Sequence, residues 1–218
     1  MNIHSVAATT ASIARRPRTG AAARLGAAAP KRELILRAAT DVFAGRGYFN
    51  AQVADVARAA GVAAGTVYLY FRSKDDLLVS IFERTMRDGL AEGRQAVAAV
   101  ADPIDRLRHL ARLHLARLGR DRNLAIVFQV ELRQSTKFME RFSSTLLRDY
   151  LGLIRTAIAD AQSAGVFRST VNATAAAKML FGALDEMATN WILSRRRYPL
   201  EADADAVVDL FVNGARAR

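Results

Sequence analysis

Thr66, Tyr68, Tyr70 and Lys74 place three hydroxyls and an ammonium within nine positions of the chain. Such groups donate hydrogen bonds to phosphate oxygens, and phosphate contacts set a protein's position on a duplex more than its choice of sequence. Immediately before them, Ala63, Ala64 and Gly65 are small. A helix starting there can bring its backbone close to a groove floor, and its first amides attract phosphate. Gln52 offers one more group within reach of a phosphate. No Arg or Asn opens the 63–70 stretch, so direct base readout looks thin. Specificity would then rest on thymine methyls, on minor-groove arginines from a preceding arm and on DNA shape. Any one of the tyrosines could equally be a packing residue. The whole pattern with its spacing points to nucleic acid.

Catalytic chemistry is not indicated. His4, His109 and His114 are the only histidines, and 109 and 114 stand five apart rather than at the i, i+4 spacing of a helical metal pair. There is no Walker-type loop, no Gly-x-Gly-x-x-Gly and no serine in a nucleophile elbow. The absence of cysteine excludes disulfides, thiolate metal sites and a cysteine nucleophile. The expectation is a protein that is not an enzyme, with no metal and no cofactor, and with His114 as a satisfied pocket-wall or core residue. No run of about 18 apolar residues exists, so membrane insertion is not expected and the cytoplasm is the expected compartment.

The elements that would position these groups read as helices throughout. Of 218 residues 51% are hydrophobic, alanine and leucine dominate, and prolines number 4, which favours an all-α protein of about nine helices. Apolar spacing predicts helices from Pro30 or Lys31 to Ala44, from Gln52 to Ala60 and from Ala63 to Tyr70. Pro30 suits a first turn, and Gly45 and Gly47 suit a helix end. Gly61 can take positive φ between the second and third helices, while Val62 and Val67 face inward. This is how a helix-turn-helix reads, with a last helix short enough for a major groove.

Ser73, with Asp76 three residues on, reads as a capping box opening a long helix to about Val100. Asp102-Pro103 starts another, and the apolar run Leu124–Val130 is taken as helix because no partner strands appear. Helices over 137–164 and 172–194 follow, and one after Pro199. Residues 1–29 hold four arginines and no acid, without sustained periodicity, and are expected to be a disordered basic arm. The net charge of +11 favours polyanionic partners, yet residues 31–86 carry only +2 of it, so the surplus is spread out. The expected division is an arm over 1–29, a helix-turn-helix DNA-binding domain over 30–76 and an effector-binding and dimerisation domain over 77–218.

Residues 31–86 resemble the DNA-binding domain of the TetR family of bacterial repressors. The matching pieces are Gly47-Tyr48, Val53-Ala54-Asp55-Val56-Ala57, Ala60-Gly61-Val62, Gly65 to Phe71 and Ser73-Lys74-Asp75-Asp76-Leu77-Leu78. Ala51 and Gln52 stand where the family usually has Thr and Ser or Thr, which removes the common N-cap hydroxyl. The resemblance implies a homodimer paired through its C-terminal helices, double-stranded operator DNA as partner, and a C-terminal effector pocket. Asn123 to Val127, Glu131 to Ser135, and Phe181 to Glu186 with Asn190-Trp191 resemble the acyl-CoA-responsive fatty-acid-degradation repressors of that family. The implied effector is therefore a long-chain acyl-CoA.

Such a ligand needs a dry tunnel for its chain and basic groups for its phosphates. Leu90, Leu107, Leu110, Phe128, Leu147, Leu151, Leu180, Phe181, Leu184 and Trp191 are tunnel candidates, each of which could equally be ordinary core. Arg133, with Arg106, Arg108, Arg112 and Arg148, could meet phosphates or form salt bridges. Asp185, Glu186 and Asn190 either pair with Arg133 or border the pocket. Ala176, Leu180, Ala183 and Met187, with Val207, Leu210 and Phe211, form the expected dimer face. Two other readings stay open. One keeps the fold but regulates a transporter or efflux operon through another lipophilic ligand; the other is a ligand-free architectural DNA-binding protein.

Overall fold

A computed structural model describes residues 20–134, 145–194 and 198–216, with side chains from residue 30 onward. Nine α-helices run through the described residues: α1 (Gly20–Arg46), α2 (Val53–Ala59), α3 (Ala64–Tyr68), α4 (Lys74–Ala98), α5 (Pro103–Arg120), α6 (Arg122–Ile126), α7 (Thr145–Ser163), α8 (Ala173–Leu193) and α9 (Ala204–Ala215). Among these residues there is no β-strand, only one isolated bridge between Phe167 and Arg216.

Two departures from the expected helices stand out. α1 begins at Gly20, so residues 20–29 of the expected arm are helical and Pro30 lies inside the helix rather than in its first turn. The alanines of this stretch are strong helix formers and carry the helix back past the proline. Residues 1–19, and Phe138 and Phe142 of the expected 137–164 helix, lie outside the described residues. The run Leu124–Val130 is helical as expected, but regular α geometry stops at Ile126. A π-helical turn, Val127–Glu131, and a 3-10 turn, Leu132–Gln134, follow.

Helix starts follow their caps. The Ser73 hydroxyl accepts the Asp76 N–H, but the Asp76 carboxylate takes the Arg72 N–H at 2.8 Å, so only half of the expected capping box forms. Asp102 accepts from both Ile104 and Asp105, and Asn172 from Ala175. α1 to α3 close around Phe43, Val56, Val67 and Phe71, and α4 continues that core through Leu77, Leu78 and Ile81. The same cluster runs on into the second half, where α5, α7, α8 and α9 bury Leu107, Leu115, Ile158, Leu184 and Val208. α4 packs against α1 on one side and against α5 and α7 on the other, so it joins the two halves.

Candidate functional site

The helix-turn-helix turns at Gly61. Its φ is +65°, its N–H bonds the Arg58 carbonyl, and the Val62 N–H reaches back to Ala57 at 3.0 Å. This pair of bonds is a Schellman cap, which needs a left-handed residue at that point. Val67 is fully buried and fixes the inner face of α3. The outer face presents Ala63, Ala64, Gly65 and Tyr68, all exposed, while Thr66 and Tyr70 are half-buried. A Cβ on Gly65 would meet nothing within 4 Å, so the space above α3 is open. Gln52 is exposed at the N-cap of α2 without capping through its side chain. Asp55 compensates from inside the helix by accepting the Gln52 N–H at 3.1 Å. That bond, then the Arg46 and Arg58 charges, hold the Asp55 carboxyl below its usual range against a desolvation that pushes it up.

Lys74 is engaged differently from a phosphate contact. Its ammonium donates to the carbonyls of Tyr48, Phe49 and Ala51 at 2.8, 3.1 and 2.9 Å and lies over the Tyr48 ring. All three of its protons are committed to the α1–α2 turn. Tyr48 also bonds Asp75 through its hydroxyl, and burial with that bond raises its pKa. The turn is thus knotted to the start of α4.

A second site lies between α4, α5, α7, α8 and the π-helical turn. It is a narrow cavity of about 40 Å³, lined by Met86, Leu118, Phe128, Tyr150 and Phe181 on its apolar side. Its polar wall is Asp185, buried in α8 and bonded by Gln129 at 2.6 Å and by Arg133. Thr189 bridges the Gln129 side chain and the Asp185 carbonyl. Burial opposes ionisation of Asp185, but His114, Gln129 and Arg133 outweigh it and hold the carboxyl below its usual range. His114 is on the pocket wall as expected but is not satisfied. Its Nε2 is buried without a hydrogen bond, 3.7 Å from Asp185 Oδ1.

Of the expected tunnel residues, Phe128 and Phe181 line this cavity, and so does Arg133, a phosphate candidate. Leu90, Leu107, Leu110, Leu180 and Leu184 are buried core outside its wall, and Trp191 packs under Arg122 with its indole N–H on the Tyr198 carbonyl. Leu147 and Leu151 line a neighbouring surface groove of about 780 Å³ with Arg94, Arg148, Arg155 and Lys178. α7 and α8 contribute to both spaces, Tyr150 and Phe181 to the cavity and Leu151 and Lys178 to the groove. Arg106, Arg108 and Arg112 are salt-bridged to Asp160, to Asp105 and Asp209, and to Asp205. Asp185 meets both sequence alternatives, since it pairs with Arg133 and borders the pocket, whereas Glu186 and Asn190 bond each other on the surface.

The expected dimer face is only partly open to a second copy. Ala176 and Leu180 are buried within the chain, and Met187, Val207 and Phe211 are half-buried. Ala183 and Leu210 are exposed, together with Met179, Gly182 and Leu193. α8 is apolar nearly all round, so periodicity alone does not tell its inner from its outer face. Gln129 and Tyr150 are not among the candidate site residues of the sequence, and Glu131 enters there only as the start of a matching segment. Two acceptor-rich side chains in the apolar run 124–132 were the available signal.

Among the described residues no group of His, Cys, Asp and Glu could hold a metal, and no helix is long and apolar enough to cross a membrane. Residues 35–81 match the bacterial regulatory proteins of the tetR family, and residues 82–214 the C-terminal region of YsiA-like proteins. The fatty acid metabolism regulator protein of Bacillus subtilis is 34% identical over 185 residues, 85% of this chain and 95% of that one. Fatty acid degradation regulator FadR from Bacillus halodurans superposes with a TM-score of 0.81 at 37% identity, covering 87% of this chain and 98% of that one. Transcriptional regulator FadR from Bacillus subtilis, solved in complex with stearoyl-CoA, gives 0.79 at 33%, covering 84% and 99%. An exposed, small-residue helix-turn-helix joined by α4 to a helical domain with an internal pocket, matched along both halves, places this chain in the TetR family of DNA-binding transcriptional regulators.

Proposed function

We propose that the protein is a homodimeric repressor of fatty-acid-degradation genes that long-chain acyl-CoA releases from its operator in the cytoplasm. The observation that carries this reading is that α7 and α8 line both an apolar cavity and a groove bearing four basic side chains. An acyl chain suits the first and the phosphates of CoA suit the second. The stearoyl-CoA complex of the Bacillus subtilis regulator supports the same ligand class. Residues 30–76 would serve as the DNA-binding domain, with Gln52, Ala63, Ala64, Gly65, Thr66, Tyr68 and Tyr70 at the duplex, and 77–218 as the effector and dimer domain. The cavity as it stands admits a water or two, so an acyl chain must widen it. That gives the ligand the differential affinity between two states that any release requires. The test is fluorescence anisotropy on a labelled duplex selected by the protein from promoter DNA. Saturating stearoyl-CoA should weaken binding by about 100-fold, while CoA alone should not. An unchanged affinity with stearoyl-CoA would overturn the reading, and release by an uncharged lipophile instead would favour the efflux-operon alternative.

A further inference from the structure

The π-helical turn faces two ways. Gln129 and Arg133 hold Asp185 at the cavity wall. Between them Glu131 points to the other half of the molecule, where its carboxylate accepts the backbone N–H of Tyr48 at 2.6 Å, 83 residues away in sequence. Glu131 is only 5% exposed, and Gln134 also donates to its carboxylate at 3.4 Å. Tyr48 follows Gly47, whose φ of +76° ends α1, and opens the turn that Lys74 and Asp75 tie to α4. Whatever moves Glu131 therefore acts on the backbone that sets the start of α2 and, through it, α3.

The cavity has one wall that can give. α4, α5, α7 and α8 are regular helices in a close-packed core. The segment 127–134 instead passes through π and 3-10 turns, which lack the regular i→i+4 ladder and mark hinge positions in helices. We propose that Glu131 is the positioning residue that couples the cavity to the DNA-binding unit. Its carboxylate latches the 47–51 turn in the ligand-free protein, and an acyl chain that parts Gln129 and Arg133 from Asp185 displaces the segment and draws the latch off Tyr48. The identity of the ligand rests on the reading above; the latch does not.

Two measurements separate the two ideas. In the first, operator affinity is read with and without saturating stearoyl-CoA. Glu131→Ala should cut the ligand-induced loss of affinity from about 100-fold to below about tenfold. Stearoyl-CoA should bind this variant as tightly as wild type or more tightly, because it no longer works against the latch. Glu131→Gln keeps an acceptor and should recover at least half of the lost effect on a logarithmic scale. Asn123→Ala, which removes the exposed bond from Asn123 to Asp41 between the same two units, should stay within about twofold of wild type. A full wild-type response in Glu131→Ala overturns the latch. In the second, amide hydrogen exchange is followed without any ligand. Asp185→Asn should speed exchange in residues 47–51 by at least about threefold while α9 is unchanged, and unchanged exchange there overturns the latch. Should wild type ignore stearoyl-CoA, the functional reading falls, and the exchange result alone decides the latch.

Discussion

Asp185 keeps its charge in a mostly apolar interior because four side chains converge on it: Gln129, Arg133, His114 and, through Gln129, Thr189. Its folded-state carboxyl is held below the usual range, although burial pushes the other way. The stability this contributes is present above the unfolded value of about 4 and is lost as pH falls through the lower folded value. Asp185→Asn removes a group that must take up a proton on acid unfolding. Urea midpoints followed from neutral pH downward should therefore fall less steeply for the variant than for wild type below about pH 4, and parallel profiles would contradict the assigned charge. Chemistry at this scale is legible in the sequence by type, with the partner left between alternatives. The sequence marked Arg133 and Asp185 as polar groups near an apolar helix, yet an arginine meets a phosphate or a carboxylate equally well. Lys74 teaches the same lesson. Its ammonium suits a phosphate, but three carbonyls of the α1–α2 turn lie nearer.

α3 is five residues long, and its value as a recognition element depends on what its surface lacks. Gly65 has no backbone conformation that requires glycine and no neighbour that a methyl group would strike. Gly65→Ala should leave the fold intact or stabilise it by up to about 1 kcal/mol, since alanine is the better helix former and narrows the unfolded ensemble. Operator affinity should nevertheless fall by at least about tenfold if the backbone itself approaches the groove floor, a loss on the order of 1.4 kcal/mol. Equal affinity in the two proteins would move the contact surface away from the start of α3. Elements with a strong local signal were readable in advance: the Gly61 turn, the Ser73, Asp102 and Asn172 caps, and the apolar stripes of α4, α5 and α7. The π-helical turn was not, because an i→i+5 step leaves no periodic trace and shows only when Phe128 and Gln129 are found facing one way and Glu131 the other. Ala176 and Leu180 of α8 are buried rather than outward for the opposite reason, an excess of apolar residues on every side of the helix.

A lone copy of this fold leaves Met179, Leu193 and Leu210 at 71, 74 and 78% exposure on the outer faces of α8 and α9. Gly182 and Ala183 lie between the first two on α8, and small residues there let a second helix come close. Exposed large apolar and small side chains of this kind, even with the bonded Glu186 and Asn190 among them on α8, suit an isologous interface in which each copy offers the same face to the other. DNA geometry asks for the same thing. A single five-residue recognition helix spans one half-site, whereas two helices about 34 Å apart reach successive major grooves. The wild-type chain of 23.8 kDa should accordingly sediment at twice its mass at micromolar concentration. Leu210→Glu puts a charge on the exposed side of α9, where pairing of two copies through this helix would bury it unpaired. Leu210 is not part of the monomer core, so the variant should keep its helical circular dichroism while sedimenting as a monomer. Operator binding should drop with it by at least about 100-fold, because the second half-site contact becomes a separate bimolecular event. A Leu210→Glu protein that remains dimeric would place the interface elsewhere. A monomer that still binds the full operator as tightly as wild type would break the link between this face and the spacing of the two recognition helices.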